Sequence, residues 1–130
     1  SEDKRVAQAL TRLGAVYRAQ GRYSSVEPLL RRALTIYENA EGDGSALDLA
    51  EMLETFADFL RAHGKYSQAE PLFQRALAKR EASLGAEHPS IGSSLYNLAM
   101  LYHAGGKYEQ AEPLYERAAR LFEAEWGPEH

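Results

Sequence analysis

The chain contains no cysteine, which excludes disulfides, thiolate metal centres and cysteine nucleophiles together and leaves packing alone to hold the fold. That absence fits a reducing, cytoplasmic setting. No apolar run approaches the roughly 18 residues that a membrane-spanning helix needs. The opening stretch Ser1-Glu2-Asp3-Lys4-Arg5 lacks the hydrophobic segment of a secretory signal. A soluble chain with no membrane partner is expected. Positive charge is also in short supply: 15 Lys and Arg stand against 19 Asp and Glu, so nothing draws the chain globally to nucleic acid.

Signals of chemistry are equally sparse. His63, His88, His103 and His130 have no HExxH partner and no nearby thiol, so a metal site is not expected. Gly105-Gly106-Lys107 lacks the spacing of a phosphate-binding loop and falls in a turn with no preceding strand. No serine sits on a nucleophile elbow. The expectation is a chain without catalysis, cofactor or metal.

What is present is a repeat. Gly21-Arg22-Tyr23 recurs after 43 residues as Gly64-Lys65-Tyr66 and after a further 42 as Gly106-Lys107-Tyr108. Glu27-Pro28-Leu29, Glu70-Pro71-Leu72 and Glu112-Pro113-Leu114 keep the same offsets, as do Arg32-Ala33, Arg75-Ala76 and Arg117-Ala118. The odd residue in the first period falls in Gly42-Asp43-Gly44. Apolar residues follow the helical period on both sides of each Gly-x-Tyr turn. Leu49, Met52, Leu53, Phe56, Ala57 and Leu60 mark one stripe. Val26, Leu29, Leu30, Ala33, Leu34 and Tyr37 mark another, echoed by Ala69, Leu72, Phe73, Ala76 and Leu77 and by Ala111, Leu114, Tyr115, Ala118 and Phe122.

This pattern predicts six helices in three hairpins within one domain spanning 1–130, with repeats at about 1–43, 44–85 and 86–127 and a further linker beginning at 128–130. Ser45 with Asp48 resembles a capping box, and Pro89 suits a first helical position after His88. Pro28, Pro71 and Pro113 are expected about five residues into the second helices, each removing one early hydrogen bond. Tyr23, Tyr66 and Tyr108 are expected to pack the hairpins, and Phe56, Phe59 and Phe73 to lie in the core.

The residues Leu10, Leu13, Gly14, Tyr17, Gly21, Tyr23, Val26, Leu30 and Ala33 resemble the signature of the tetratricopeptide repeat family. So do the aligned sets beginning at Leu53 and Leu95. Leu84-Gly85-Ala86-Glu87-His88-Pro89 and Trp126-Gly127-Pro128-Glu129-His130 look like the linker of the longer form found in kinesin light chains. The resemblance covers essentially the whole chain. It implies an all-α, right-handed solenoid of three helix-turn-helix repeats with six antiparallel helices, and a non-catalytic scaffold whose concave groove holds a peptide or protein segment.

Carried over position by position, the resemblance implies a groove made by Gln8, Thr11, Arg12, Ala15 and Arg18 from the first repeat. The second supplies Glu51, Glu54, Thr55, Asp58 and Arg61, and the third Ser93, Tyr96, Asn97, Met100 and His103. Asn97 lies where an asparagine of kinesin light chains bonds a bound peptide's main chain. The lysine–asparagine set that clamps a C-terminal carboxylate in some members is missing. Leu114, Ala118, Leu121, Phe122 and Trp126 have no capping helix after them and are expected to form an exposed end. That end suggests a piece of a longer array, or an alternative role as a self-assembling spacer that dimerises or stacks end to end. Charge favours stacking. Basic and acidic residues number seven and six over 1–43, five and six over 44–85, and three and seven over 86–130.

Overall fold

A computed structural model describes residues 4–40 and 45–126. Among these residues there are six α-helices, a short 3-10 turn and no strand. The helices are α1 (Lys4–Ala19), α2 (Val26–Asn39), α3 (Ser45–Ala62), α4 (Tyr66–Leu84), α5 (Ile91–Ala104) and α6 (Tyr108–Trp126). Helices α1 and α2, α3 and α4, and α5 and α6 form the three hairpins; α2 packs on α3 and α4 on α5 to join them. The Gly42-Asp43-Gly44 insertion lies outside the described residues.

Each Gly-x-Tyr motif has one physical task. The glycine adopts φ near +76° at Gly21, Gly64 and Gly106, a left-handed conformation that costs side-chain-bearing residues energy. It lets the next amide turn back into the finished helix. Arg22 N–H bonds Tyr17 O, Lys65 N–H bonds Leu60 O and Lys107 N–H bonds Tyr102 O, each at 2.8 Å. This is the six-to-one bond of a Schellman ending, and it satisfies a carbonyl that the helix would otherwise leave open. The longer α4–α5 link is closed by a histidine. His88 Nδ1 accepts the Ser90 N–H at 3.2 Å, and His88 O accepts Ile91 N–H at 3.0 Å.

Two local expectations shift. Pro89 is not a first helical residue: α5 begins two residues later, after Ser90, because Pro89 is spent in the turn, with its carbonyl accepting Gly92 N–H at 3.0 Å. Pro71 and Pro113 sit inside α4 and α6 as expected. Pro28, however, is the third residue of α2, because Tyr23–Ser25 winds as a 3-10 turn first. There the missing N–H falls in the first turn, where no intrahelical partner is needed.

The core runs through all three hairpins. Its main cluster joins Val26, Leu30 and Ala33 of α2 to Met52, Phe56 and Phe59 of α3, then Ala69 and Phe73 of α4 to Leu98, Leu101 and Tyr102 of α5. Phe56, Phe59 and Phe73 are buried, and each side chain of this size contributes about 1.5–3 kcal/mol relative to exposure. The three turn tyrosines instead lie at the surface and lean outward. Tyr23 meets His63 edge-on, with ring centroids 4.7 Å apart, and Tyr66 Cδ2 lies 3.9 Å from where a Cβ on Gly105 would stand. Tyr23 and Tyr66 thus pack one hairpin against the next, whereas Tyr108 meets His103 of its own hairpin.

Two predictions come from this packing. A Cβ on Gly92 would stand 2.8 Å from Phe122 Cε1, a contact that must shift. Gly92→Ala is therefore expected to destabilise the wild-type chain by about 1–2 kcal/mol. In a Phe122→Ala background the same change should stabilise it, because the helix preference of alanine, about 1 kcal/mol, is then unopposed. Urea midpoints of the four proteins check the sign reversal. The second concerns Glu27, whose carboxyl is held below the usual range by its hydrogen bond from Lys65 and then by that from Arg31. A depressed folded-state pKa adds stability that is present above the unfolded-state value and is lost as pH falls through the folded one. Glu27→Gln should therefore flatten the fall in melting temperature across the acidic carboxylate range.

Candidate functional site

The first helices of successive hairpins lie side by side, and their facing side chains divide into three zones. Between α1 and α3 opens a cleft of about 400 Å³ lined by Gln8, Thr11, Arg12, Ala15, Tyr37, Asp48, Glu51, Met52 and Thr55. Lys4 Nζ closes one end on Asp48 Oδ2 at 2.8 Å. Thr11 Oγ1 donates to Ala7 O at 2.9 Å and approaches Met52 Sδ at 3.5 Å. Burial pushes the Tyr37 hydroxyl up in pKa, and the carboxylates of Asp48 and Glu51 push it further, so Tyr37 stays protonated at neutral pH as a potential donor. Arg12 and Glu51 are exposed at the cleft. Cation, carboxylates, amide, phenol and thioether thus converge on one recess.

Further along the same faces, the polar residues engage one another. Asp58 Oδ1 accepts from Arg61 at 2.6 Å, and Asp58 Oδ2 lies 3.6 Å from Arg18. The Arg18 guanidinium also stands 5.7 Å from the Phe59 ring centre. Glu54 is bound more firmly. Its Oε1 accepts from Arg80 Nη2 at 2.7 Å and Nε at 3.2 Å, while its Oε2 accepts from Ser94 Oγ at 2.6 Å. One half-buried carboxylate therefore ties α3 to α4 and α5. Ser94 itself is buried, so this network serves the fold.

The third zone is aromatic. Tyr96 meets Tyr115 at 5.6 Å, and His103 meets Tyr108 at 5.5 Å and Tyr115 at 6.2 Å. These rings join α5 to α6 on the C-terminal side of the array. Burial, followed by the influence of Tyr96, raises the Tyr115 pKa. Asn97 and Met100 are half-buried on α5.

The fifteen groove residues named from sequence thus fall into separate places. Gln8, Thr11, Arg12, Ala15, Glu51 and Thr55 line the cleft; Arg18, Asp58 and Arg61 form an ion cluster; Glu54 is committed to Arg80 and Ser94; Tyr96 and His103 join the aromatic zone; and Ser93, Asn97 and Met100 lie on α5. The recess lies at Arg12 and Glu51. Two residues beyond those positions also line the cleft: Tyr37, which comes from the end of a second helix, and Asp48, which comes from the first turn of α3.

The expected exposed end needs correction as well. Ala118 and Leu121 are buried with Ile91 and Leu95, with Leu114 and Phe122 packed against them. That stripe closes its own hairpin and is not left open. Trp126 is exposed. Among the histidines, His63 is held at Phe59 O, His88 at Ser90 and His103 beside Tyr115. Among the described residues no three His, Cys, Asp or Glu side chains gather as a metal site would require, and no helix is long and apolar enough to cross a membrane.

Glu54→Ala should destabilise the chain by about 1–3 kcal/mol, because it leaves Arg80 and buried Ser94 without their acceptor. Arg12→Ala and Glu51→Ala, at exposed positions, should each stay within about 0.5 kcal/mol of wild type. Urea unfolding of the three variants separates structural residues from those available to a ligand.

Comparison with known proteins agrees with this geometry. Two models, each described as tetratricopeptide repeat, match residues 48–124 and 6–46. Mouse (Mus musculus) nephrocystin-3 is 35% identical over 70 residues, which is 54% of this chain but 5% of that protein. The nearly identical repeats of a kinesin light chain from Podosopora anserina superpose with a TM-score of 0.78 at 23% identity, covering 91% of this chain and 56% of that one. BtubC (BKLC) from P. vanneervenii superposes at 0.80 with 21% identity, covering 94% and 48%. The chain thus spans about half of these solved structures. The repeated turns, the stacked hairpins and the matched residues all agree: the chain belongs to the tetratricopeptide repeat family, and its fold is that of the kinesin-light-chain-like repeats.

Proposed function

We propose that the chain is a non-catalytic scaffold that holds an extended or helical segment of another protein in its concave groove, with the α1–α3 cleft as the anchoring point. The family supports a protein-interaction scaffold in general. The groove as the site rests on one observation, the convergence of Arg12, Glu51, Asp48, Tyr37 and Gln8 on a single open recess.

The lining sets what such a segment should offer. Arg12 favours a carboxylate or main-chain carbonyl, Asp48 and Glu51 a basic side chain or main-chain N–H, and Met52 with Ala15 a small apolar contact. Arg18, Asp58 and Arg61 would continue the track only by exchanging their present partners, so they should tune affinity less than Arg12 and Glu51. The positions of a carboxylate clamp carry Thr11, Glu54 and Tyr96 on one row and Ala15, Asp58 and Met100 on the other. A free C-terminus should therefore bring no advantage.

The test uses binders selected from a phage-displayed random peptide library and resynthesised with a fluorophore. Arg12→Ala and Glu51→Ala should each weaken capture about tenfold, the scale of a hydrogen bond to a charged group, without change in helicity. C-terminal amidation should leave affinity unchanged. Peptides insensitive to both substitutions, or dependent on a free carboxylate, would sink this reading.

A further inference from the structure

The α1–α3 cleft has a counterpart one period later in the same chain. Thr11, Tyr37 and Met52 of the first seam correspond to Glu54, Arg80 and Ser94 of the second, at offsets of 43, 43 and 42 residues. At the second seam these positions hold a cation. The Arg80 guanidinium donates twice to Glu54 Oε1, at 2.7 and 3.2 Å, and Ser94 Oγ donates to Glu54 Oε2 at 2.6 Å. Both charged side chains are largely covered, at 18% and 16% exposure. The junction of two hairpins therefore accommodates a guanidinium when a carboxylate meets it.

At the first seam all three members of that network are replaced. Thr11 reaches only Ala7 O and the Met52 sulfur, and Tyr37 brings a ring and a hydroxyl in place of a guanidinium. What remains is the recess of about 400 Å³. Carboxylates still stand there, now supplied by α3, because Asp48 and Glu51 line it. Asp48 holds Lys4 at 2.8 Å. Among the described residues no lysine or arginine pairs with Glu51, which is exposed. The Tyr37 hydroxyl reports the resulting field: burial raises its pKa first, Asp48 and Glu51 raise it further, and Lys4 opposes them least. Acidic influence dominates at that hydroxyl, where a cation is favoured and an anion is not.

We propose, resting on the scaffold reading above, that the α1–α3 cleft takes a lysine or arginine side chain of the bound segment. Its charged head sits between Glu51 and the Tyr37 ring, in the place that Arg80 fills at the second seam. The aliphatic stem lies along Met52 and Ala15. The head gains a carboxylate and a ring face, both of which attract a cation. An acidic side chain in the same place would meet Asp48 and Glu51 and be repelled. Arg12 then receives a main-chain carbonyl of the segment.

The test combines fluorescence anisotropy of the library-selected peptides with the methyl NMR signals of the two methionines, of which Met52 lines the cleft. Binding should shift the Met52 methyl. Replacing one lysine of the peptide by norleucine, or one arginine by citrulline, should weaken capture at least about tenfold, the scale of a hydrogen bond between charged groups. The same replacement should cost little more in Glu51→Gln, because two partners of one contact do not add. The double Thr11→Glu/Tyr37→Arg gives the first seam the ion pair of the second, and should lose capture to a similar extent while circular dichroism shows unchanged helicity. Binders that shift Met52 yet tolerate neutral replacement of every basic residue, or that depend on an acidic residue instead, overturn the basic anchor and leave the groove reading standing. So do losses that add fully in Glu51→Gln, or a folded double that captures basic peptides as well as wild type. Binders that leave Met52 unmoved overturn both.

Discussion

A pair of amphipathic helices joined by a short turn carries more apolar surface than the pair can bury between themselves. Everything else in this molecule answers that constraint. The first helix of each hairpin presents aromatic or branched side chains both to its own partner and to the previous hairpin, as Phe56 and Phe59 do. Stacking buries the second set, so each hairpin is stable only as a neighbour of another. The left-handed glycines make this stacking regular. By ending each first helix with the same six-to-one hydrogen bond, they return the chain at one angle three times.

Regular stacking also decides which polar residues remain available to a ligand. A side chain facing the next first helix is drawn into the seam, as Glu54 is by Arg80 and Ser94. A side chain one step around the helix remains at the surface. This explains why a surface of mixed charge is largely self-neutralised around Asp58, Arg18 and Arg61, yet open around Arg12 and Glu51. The first repeat supplies Thr11 where the second has Glu54. A threonine reaches only its own Ala7 carbonyl and the Met52 sulfur, so the space that a long carboxylate would occupy remains as the cleft.

The hairpins, their turns and the core stripes were legible in the sequence because each is written three times at fixed offsets. The site was less so. Position along a helix gives a residue's face, but not whether a neighbour 26 or 40 residues away will claim its charge, as Arg80 and Ser94 claim Glu54. The end surface was misread for a related reason. Apolar residues on α6 were read as exposed because nothing follows them, whereas Ala118 and Leu121 close on Ile91 and Leu95 of their own hairpin.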